Sequence, residues 1–291
     1  MFWLHGNARA IAAIVAAMGL FVANDACLKI SAAHIPVPEA VALRGAFASL
    51  LLFGLIAWRG EFASLRAVVS PAIGLRGVIE FSGAFVFISA LPFNSLANLT
   101  AIQQIVPLLM TAFAALFLRE RISPSRAAAV LLGFAGALMI AQPDAGGLSR
   151  GAGAAFYCAF AVCARDLLGR RIGHSVGALA LAFATALIVF VCTLVFAVVT
   201  RAAYVAPPAL ALAQCILAGL LVGLAQLAIA VALRSGDLRA IAPFYYSQTV
   251  FGLIVSFMVF NDTPNALALL GMALVIAAGL YIVTKHDSRL S

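Results

Sequence analysis

Ala90-Leu91-Pro92-Phe93-Asn94-Ser95-Leu96 finds its counterpart 142 positions later in Ala232-Leu233-Arg234-Ser235-Gly236-Asp237-Leu238. Each stretch is a short punctuated link between two long apolar runs. The same shift lays Gly77 on Gly219 and Arg59 on Arg201. With slips of one residue, Asp25 and Lys29 fall on Asp166 and Arg170, and Gly136 falls on Gly279. An offset shared by both ends of each half marks an internal repeat, dividing the chain into residues 1–145 and 146–291.

The composition fixes the solvent in which these halves fold. Hydrophobic residues make up 65% of the 291 positions, against about 45–50% in ordinary globular proteins, and the mean hydropathy is +1.13. A membrane-spanning helix needs about 20 mostly apolar residues. Apolar runs between charged or Pro/Gly punctuation predict ten such helices, over 8–31, 37–58, 70–91, 95–118, 124–142, 150–169, 175–200, 208–233, 239–260 and 265–284. The expected fold is an all-α integral membrane bundle with no extramembrane domain. Each half then holds five spans, an odd number, so the second half enters the membrane from the opposite side. Inverted repeats are a construction of secondary transporters, in which two halves rock around a central site.

Charge gives the orientation. Lys and Arg total 18 against 10 acidic residues, but they stand singly or in small groups at the ends of apolar runs rather than in a nucleic-acid-binding patch. One side of the bundle receives Arg9, Arg59, Arg66, Arg119, Arg121, Arg126, Arg170, Arg171, Arg234, Arg239, Lys285 and Arg289, and the other receives Lys29, Arg150 and Arg201. The positive-inside rule therefore places both termini in the cytoplasm and the chain in an inner, plasma-type membrane. Arg9 and the apolar run after it resemble a signal peptide, but the repeat makes this segment the counterpart of span six and hence a retained helix. Cys27, Cys158, Cys163, Cys192 and Cys215 lie within apolar runs and read as packing residues, with no metal-ligand spacing. No HExxH sequence and no phosphate-binding GxxxxGK[ST] loop is present. Neither an intramembrane enzyme nor an ATP-driven pump is expected, nor any cofactor; a channel or scaffold remains as the rival class.

Polar groups at membrane depth are costly and are functional candidates by default. Arg76 and Glu80 are four apart in span three, so they share a helix face as a charge pair that either lines a cavity or is structural. Asp25 and Lys29 near one mouth, and their counterparts Asp166 and Arg170 near the other, are candidate gate or coupling pairs; the rival reading is a set of helix-end salt bridges. Gln103 and Gln104 in span four map onto Tyr245 and Tyr246 in span nine. Amides and phenols at the same depth in related helices suit a midplane site for a polar or zwitterionic solute, although interhelical hydrogen bonding would use the same groups. Gln226, Ser82, Asn24 and Gln248 are further candidates of this kind. Arg44 could meet a substrate carboxylate or pair with Glu39. Pro107 and Pro243 interrupt spans four and nine and are candidate hinges.

Several stretches resemble a known family. Ser89-Ala90-Leu91-Pro92, Pro107-Leu108-Leu109, Leu118-Arg119-Glu120-Arg121-Ile122-Ser123 and Val130-Leu131-Leu132-Gly133-Phe134-Ala135-Gly136-Ala137-Leu138 are similar to the first half of EamA-type members of the drug/metabolite transporter superfamily. The second half departs from that pattern at Asn261-Asp262-Thr263-Pro264 and in the early position of Pro243. The resemblance implies a secondary exporter of small metabolites, amino acids and aromatic amino acids foremost. Other members of the superfamily move nucleotide-sugars or cationic drugs. The partners so implied are a small-molecule substrate and the lipid bilayer, with oligomeric state open.

Overall fold

The computed structural model describes residues 2–62, 65, 69–117, 123–143, 149–172, 176–235 and 241–285. Among the described residues eleven α-helices carry the fold: α1 (Phe2–Ser31), α2 (Val37–Arg59), α3 (Pro71–Ala90), α4 (Leu96–Gln103), α5 (Val106–Phe117), α6 (Pro124–Ala141), α7 (Arg150–Ile172), α8 (Ala178–Thr200), α9 (Ala209–Ser235), α10 (Ser247–Phe260) and α11 (Ala266–Lys285). Short 3-10 turns at Leu91–Phe93 and Ala242–Tyr246 precede α4 and α10. Together they form ten segments long and apolar enough to cross a bilayer. Their bounds differ from the sequence reading by a few residues. In hydrocarbon every backbone N–H and C=O must be paired within the protein, and helices do this within one segment.

Local chemistry sets the helix ends. Pro38, Pro71 and Pro124 sit in first turns, where a missing N–H costs nothing. Gly60 closes α2 at φ 67°, its N–H donating to the Ala57 carbonyl. Arg201 ends α8 in the same left-handed conformation, φ 50°. The Arg59–Arg201 correspondence thus marks the end of α2 and of α8 alike, offset by one residue.

Spans four and nine differ from the continuous, proline-kinked helices expected. Span four is two helices: α4 stops at Gln103, Gln104 and Ile105 form a turn, and α5 begins with Pro107 in its first turn. In span nine a 3-10 turn, Ala242–Tyr246, holds Pro243 between helical Ile241 and the start of α10 at Ser247. Proline lacks the N–H and fixes φ, so each break falls beside one.

The packing follows a pattern. Span one (α1) lies on span eight (α9), and span three (α3) on span six (α7). Spans two and seven (α2, α8), four and nine (α4, α10), and five and ten (α6, α11) pair directly. Span two also meets span eight, and span three meets span seven. Exchanging the first five spans with the last five maps this set of pairings onto itself. Small residues allow the approach: a Cβ added at Gly219 would stand 2.7 Å from the Arg44 carbonyl oxygen, and one at Gly77 2.6 Å from Ile188 Cδ1. Gly136 and Gly271 make the equivalent crossing between α6 and α11. The main core holds Leu28, Ile88, Leu91, Leu96, Ile102 and Leu108, while Leu131, Val198 and Met258 face outward, where lipid is their solvent.

Candidate functional site

A narrow cleft lies where spans two, three, seven and eight converge. Its polar lining is Arg44 from α2, Glu80 from α3, Thr185 from α8 and Gln226 from α9, set among Gly45, Ala48, Ala186, Val189 and Val222. These four spans form two corresponding pairs, two with seven and three with eight, so the cleft sits where the halves meet. Its free space is on the order of a single water molecule. Arg44, Glu80 and Gln226, chosen in the sequence for the cost of polar groups in hydrocarbon, are brought together here. Thr185 was not singled out, because threonine inside an apolar run carries no cost signal of its own.

The charge pairing departs from helix spacing. Glu80 is held by Arg165 of α7, with Nη1 to Oε2 at 2.5 Å, and not by Arg76 one turn away. Arg165 also donates through Nε to Asp166 Oδ1 at 2.8 Å, so one guanidinium bridges two carboxylates. Arg76 reaches across to α8 and donates to Thr185 Oγ1 at 2.7 Å. The i,i+4 rule describes neighbours on an isolated helix. Here the extensive α3–α7 and α3–α8 contacts supply nearer partners. Arg44 does not bond Glu39, whose carboxylate accepts instead from the Val205 N–H at 3.1 Å. It lies instead within the electrostatic reach of Asp25 and Glu80.

Asp25 and Lys29 likewise do not form the expected pair. Asp25 is buried and accepts from Asn24 Nδ2 at 2.8 Å. Lys29 Nζ donates to the Asn94 carbonyl at 2.6 Å and stands 4.6 Å from the centre of the Phe260 ring. It thereby ties the end of α1 to the link before α4 and to the end of α10. Beside it, Ser256 Oγ of α10 accepts from the Ala97 N–H of α4 at 3.1 Å. Farther along the same end, Gln142 and Asn265 exchange two amide hydrogen bonds, at 2.6 and 2.9 Å, joining α6 to α11. At this end of the bundle the Lys29–Phe260, Ala97–Ser256 and Gln142–Asn265 contacts join the two halves. At the opposite end, the Arg170 side chain lies outside the described residues.

The helix breaks approach one another. Gln104 is buried and donates through Nε2 to the Tyr245 carbonyl at 3.1 Å, linking the turn of span four to the 3-10 entry of span nine. Tyr246 is buried against Gly279, and its hydroxyl has no hydrogen-bond partner among the described residues. Tyr245 lies within electrostatic reach of Asp166 and Arg165, connecting the breaks to the ion-pair network beside the cleft. Gln103 is half-buried, and Ser82 Oγ donates to the Ile79 carbonyl of its own helix at 2.8 Å. Neither lines the cleft.

Catalytic chemistry finds no support in these surroundings. Residues 147–151 spell GxSxG, but the Ser149 hydroxyl accepts from the Ala152 N–H at 3.1 Å as a cap on α7, and no strand precedes it among the described residues. A nucleophile elbow requires a strand-to-helix turn. No cluster of metal-ligating side chains occurs among the described residues.

Ten apolar helices around a polar cleft with discontinuous helices beside it define a multi-pass membrane protein of the transporter class. Residues 8–142 match the EamA-like transporter family. It is 26% identical over 219 residues to the riboflavin transporter of Rhizobium johnstonii, covering 74% of this chain and 70% of that one. It is 24% identical over 270 residues to the S-adenosylmethionine uptake transporter of Rickettsia bellii, covering 92% and 91%. The pseudopaline exporter CntI of Pseudomonas aeruginosa is 31% identical over 123 residues, 42% of this chain and 43% of its own. A crystal structure with 21% identity superposes with a TM-score of 0.67 over 97% of this chain and 98% of its own, sharing the fold. Importers and exporters both stand among these relatives.

Proposed function

We propose that this protein exports small amino-acid-type metabolites, aromatic ones included, across an inner membrane, by alternating access around the cleft between spans two, three, seven and eight. The observation that carries this reading is the cleft itself. Its walls come from corresponding spans of residues 1–145 and 146–291, and its lining places Arg44, Glu80 and Gln226 at membrane depth. If the halves are inverted repeats with both termini in the cytoplasm, exchanging their conformations exchanges which mouth is open. The contacts that join the halves at one end, Lys29 on the Phe260 ring and Gln142 with Asn265, support a gate there. Pro107 and Pro243, beside the two helix breaks, are the hinges of the movement.

A mixed lining of guanidinium, carboxylate and amide suits a solute that is polar and carries balanced charge. The name of the S-adenosylmethionine uptake transporter, which aligns over 91% of its length, favours a second reading of direction, uptake of an amino-acid-bearing metabolite. Counterflow in proteoliposomes tests the function and is indifferent to direction. Vesicles preloaded with unlabelled L-phenylalanine, L-leucine, L-serine or S-adenosyl-L-methionine are expected to accumulate the labelled counterpart of at least one, with saturation. Absence of counterflow for the whole panel would overturn the amino-acid assignment.

A further inference from the structure

Among the described residues three arginines lie well inside the spans, and two are committed. Arg165 bridges Glu80 and Asp166, at 2.5 and 2.8 Å. Arg76 donates to Thr185, whose hydroxyl in turn donates to the Leu181 carbonyl at 2.8 Å. Arg44 lines the cleft and makes no described hydrogen bond or ion pair; the Gln226 amide across from it on α9 makes none either. The cleft therefore offers a solute one guanidinium and one amide, while its carboxylate, Glu80, is already neutralised by Arg165.

We propose, building on the amino-acid reading above, that Arg44 is the carboxylate-recognising group of the transport site and that Glu80 is not an ammonium receptor. A guanidinium presents paired N–H donors in the plane a carboxylate accepts, and in a low-dielectric cleft such a charge-assisted pair is strong. Gln226 adds an amide donor to the same anion. Asp25, within electrostatic reach of Arg44 and without an ion-pair partner among the described residues, supplies the negative potential that tolerates a neighbouring ammonium. A monocarboxylate, with or without an α-amino group, fits this arrangement. A solute with only a positive charge meets the uncommitted arginine and is rejected.

The test is competition in the counterflow assay. Against labelled L-phenylalanine the competitors are 3-phenylpropionate, which keeps the carboxylate, and 2-phenylethylamine, which keeps the ammonium; 4-methylpentanoate and 3-methylbutylamine serve for leucine, and 3-hydroxypropionate and ethanolamine for serine. The acid is expected to inhibit at concentrations at least tenfold below the amine. Arg44→Gln is expected to raise the half-saturation concentration tenfold or more and to abolish the acid-over-amine preference, while Arg44→Lys keeps part of it. The preference is a ratio and does not depend on how much of a variant folds. Flux with the amine competing as well as the acid, or an unchanged preference in Arg44→Gln, would overturn the Arg44 subsite and leave amino-acid transport standing. No flux for any amino acid would overturn the amino-acid reading and this subsite with it.

Discussion

Glu80 on α3 and Arg165 on α7 meet at 2.5 Å across the junction of the two halves, although 85 residues separate them in the chain. Both side chains are largely shielded, so each needs the other: a buried charge that loses its partner is left with its full desolvation cost. Arg165→Gln or Glu80→Gln is expected to destabilise the protein by about 3–5 kcal/mol. Replacing both by Gln is expected to cost less than the sum. Unfolding of the detergent-solubilised variants checks this, and strict additivity would show that the pair is not coupled.

Gly219 and Gly54 give a contrast in packing. A Cβ at Gly219 runs into the α2 backbone at Arg44, whereas one at Gly54 meets open space. Gly219→Ala is expected to cost about 1–3 kcal/mol by forcing α2 and α9 apart. Gly54→Ala is expected to be neutral or to stabilise by up to about 1 kcal/mol through helix propensity. Thermal unfolding of the two variants reads the difference, and equal effects would contradict the close crossing.

Much of this architecture is legible in the sequence because the bilayer writes it there. Each span must be about 20 residues of apolar helix, and each polar residue within one stands out, which is how Arg44, Glu80 and Gln226 were found. Partner choice was not legible. Spacing pairs Arg76 with Glu80 and Asp25 with Lys29, yet Arg76 turns to Thr185 and Lys29 to the Asn94 carbonyl. Those partners lie 109 and 65 residues away, and only the helix packing brings them near. The full break of span four was missed for a related reason: proline announces a bend, but the turn at Gln104 is fixed by its bond to Tyr245 in another span.

That break should matter for movement more than for stability. Pro107→Ala restores an N–H and lets α4 and α5 join. The variant is expected to fold, to keep the half-saturation concentration of the parent within about twofold, and to lose turnover several-fold. Counterflow rates against substrate concentration separate the two quantities. Unchanged turnover would remove Pro107 as a hinge.

Lys29 meets the Asn94 carbonyl and the Phe260 ring, contacts that methionine cannot replace and that the proposed gate at this mouth would use. Lys29→Met is expected to raise the rate at which a membrane-impermeant thiol reagent labels a cysteine placed at half-buried Ser95, by several-fold. The background for this comparison lacks the five native cysteines. A rate unchanged by Lys29→Met would mean that the seal lies elsewhere.

The central claim is that solute passes through the cleft between spans two, three, seven and eight. Ala186 lines that cleft from α8 and is buried, so a cysteine there, in a background without the native five, places a reporter on the route. The measurement is reaction of Ala186→Cys proteoliposomes with a small hydrophilic methanethiosulfonate, with and without the transported amino acid, followed by counterflow. The account predicts that modification stops transport and that substrate slows the modification. Complete modification with transport intact, or a rate indifferent to substrate, would contradict it.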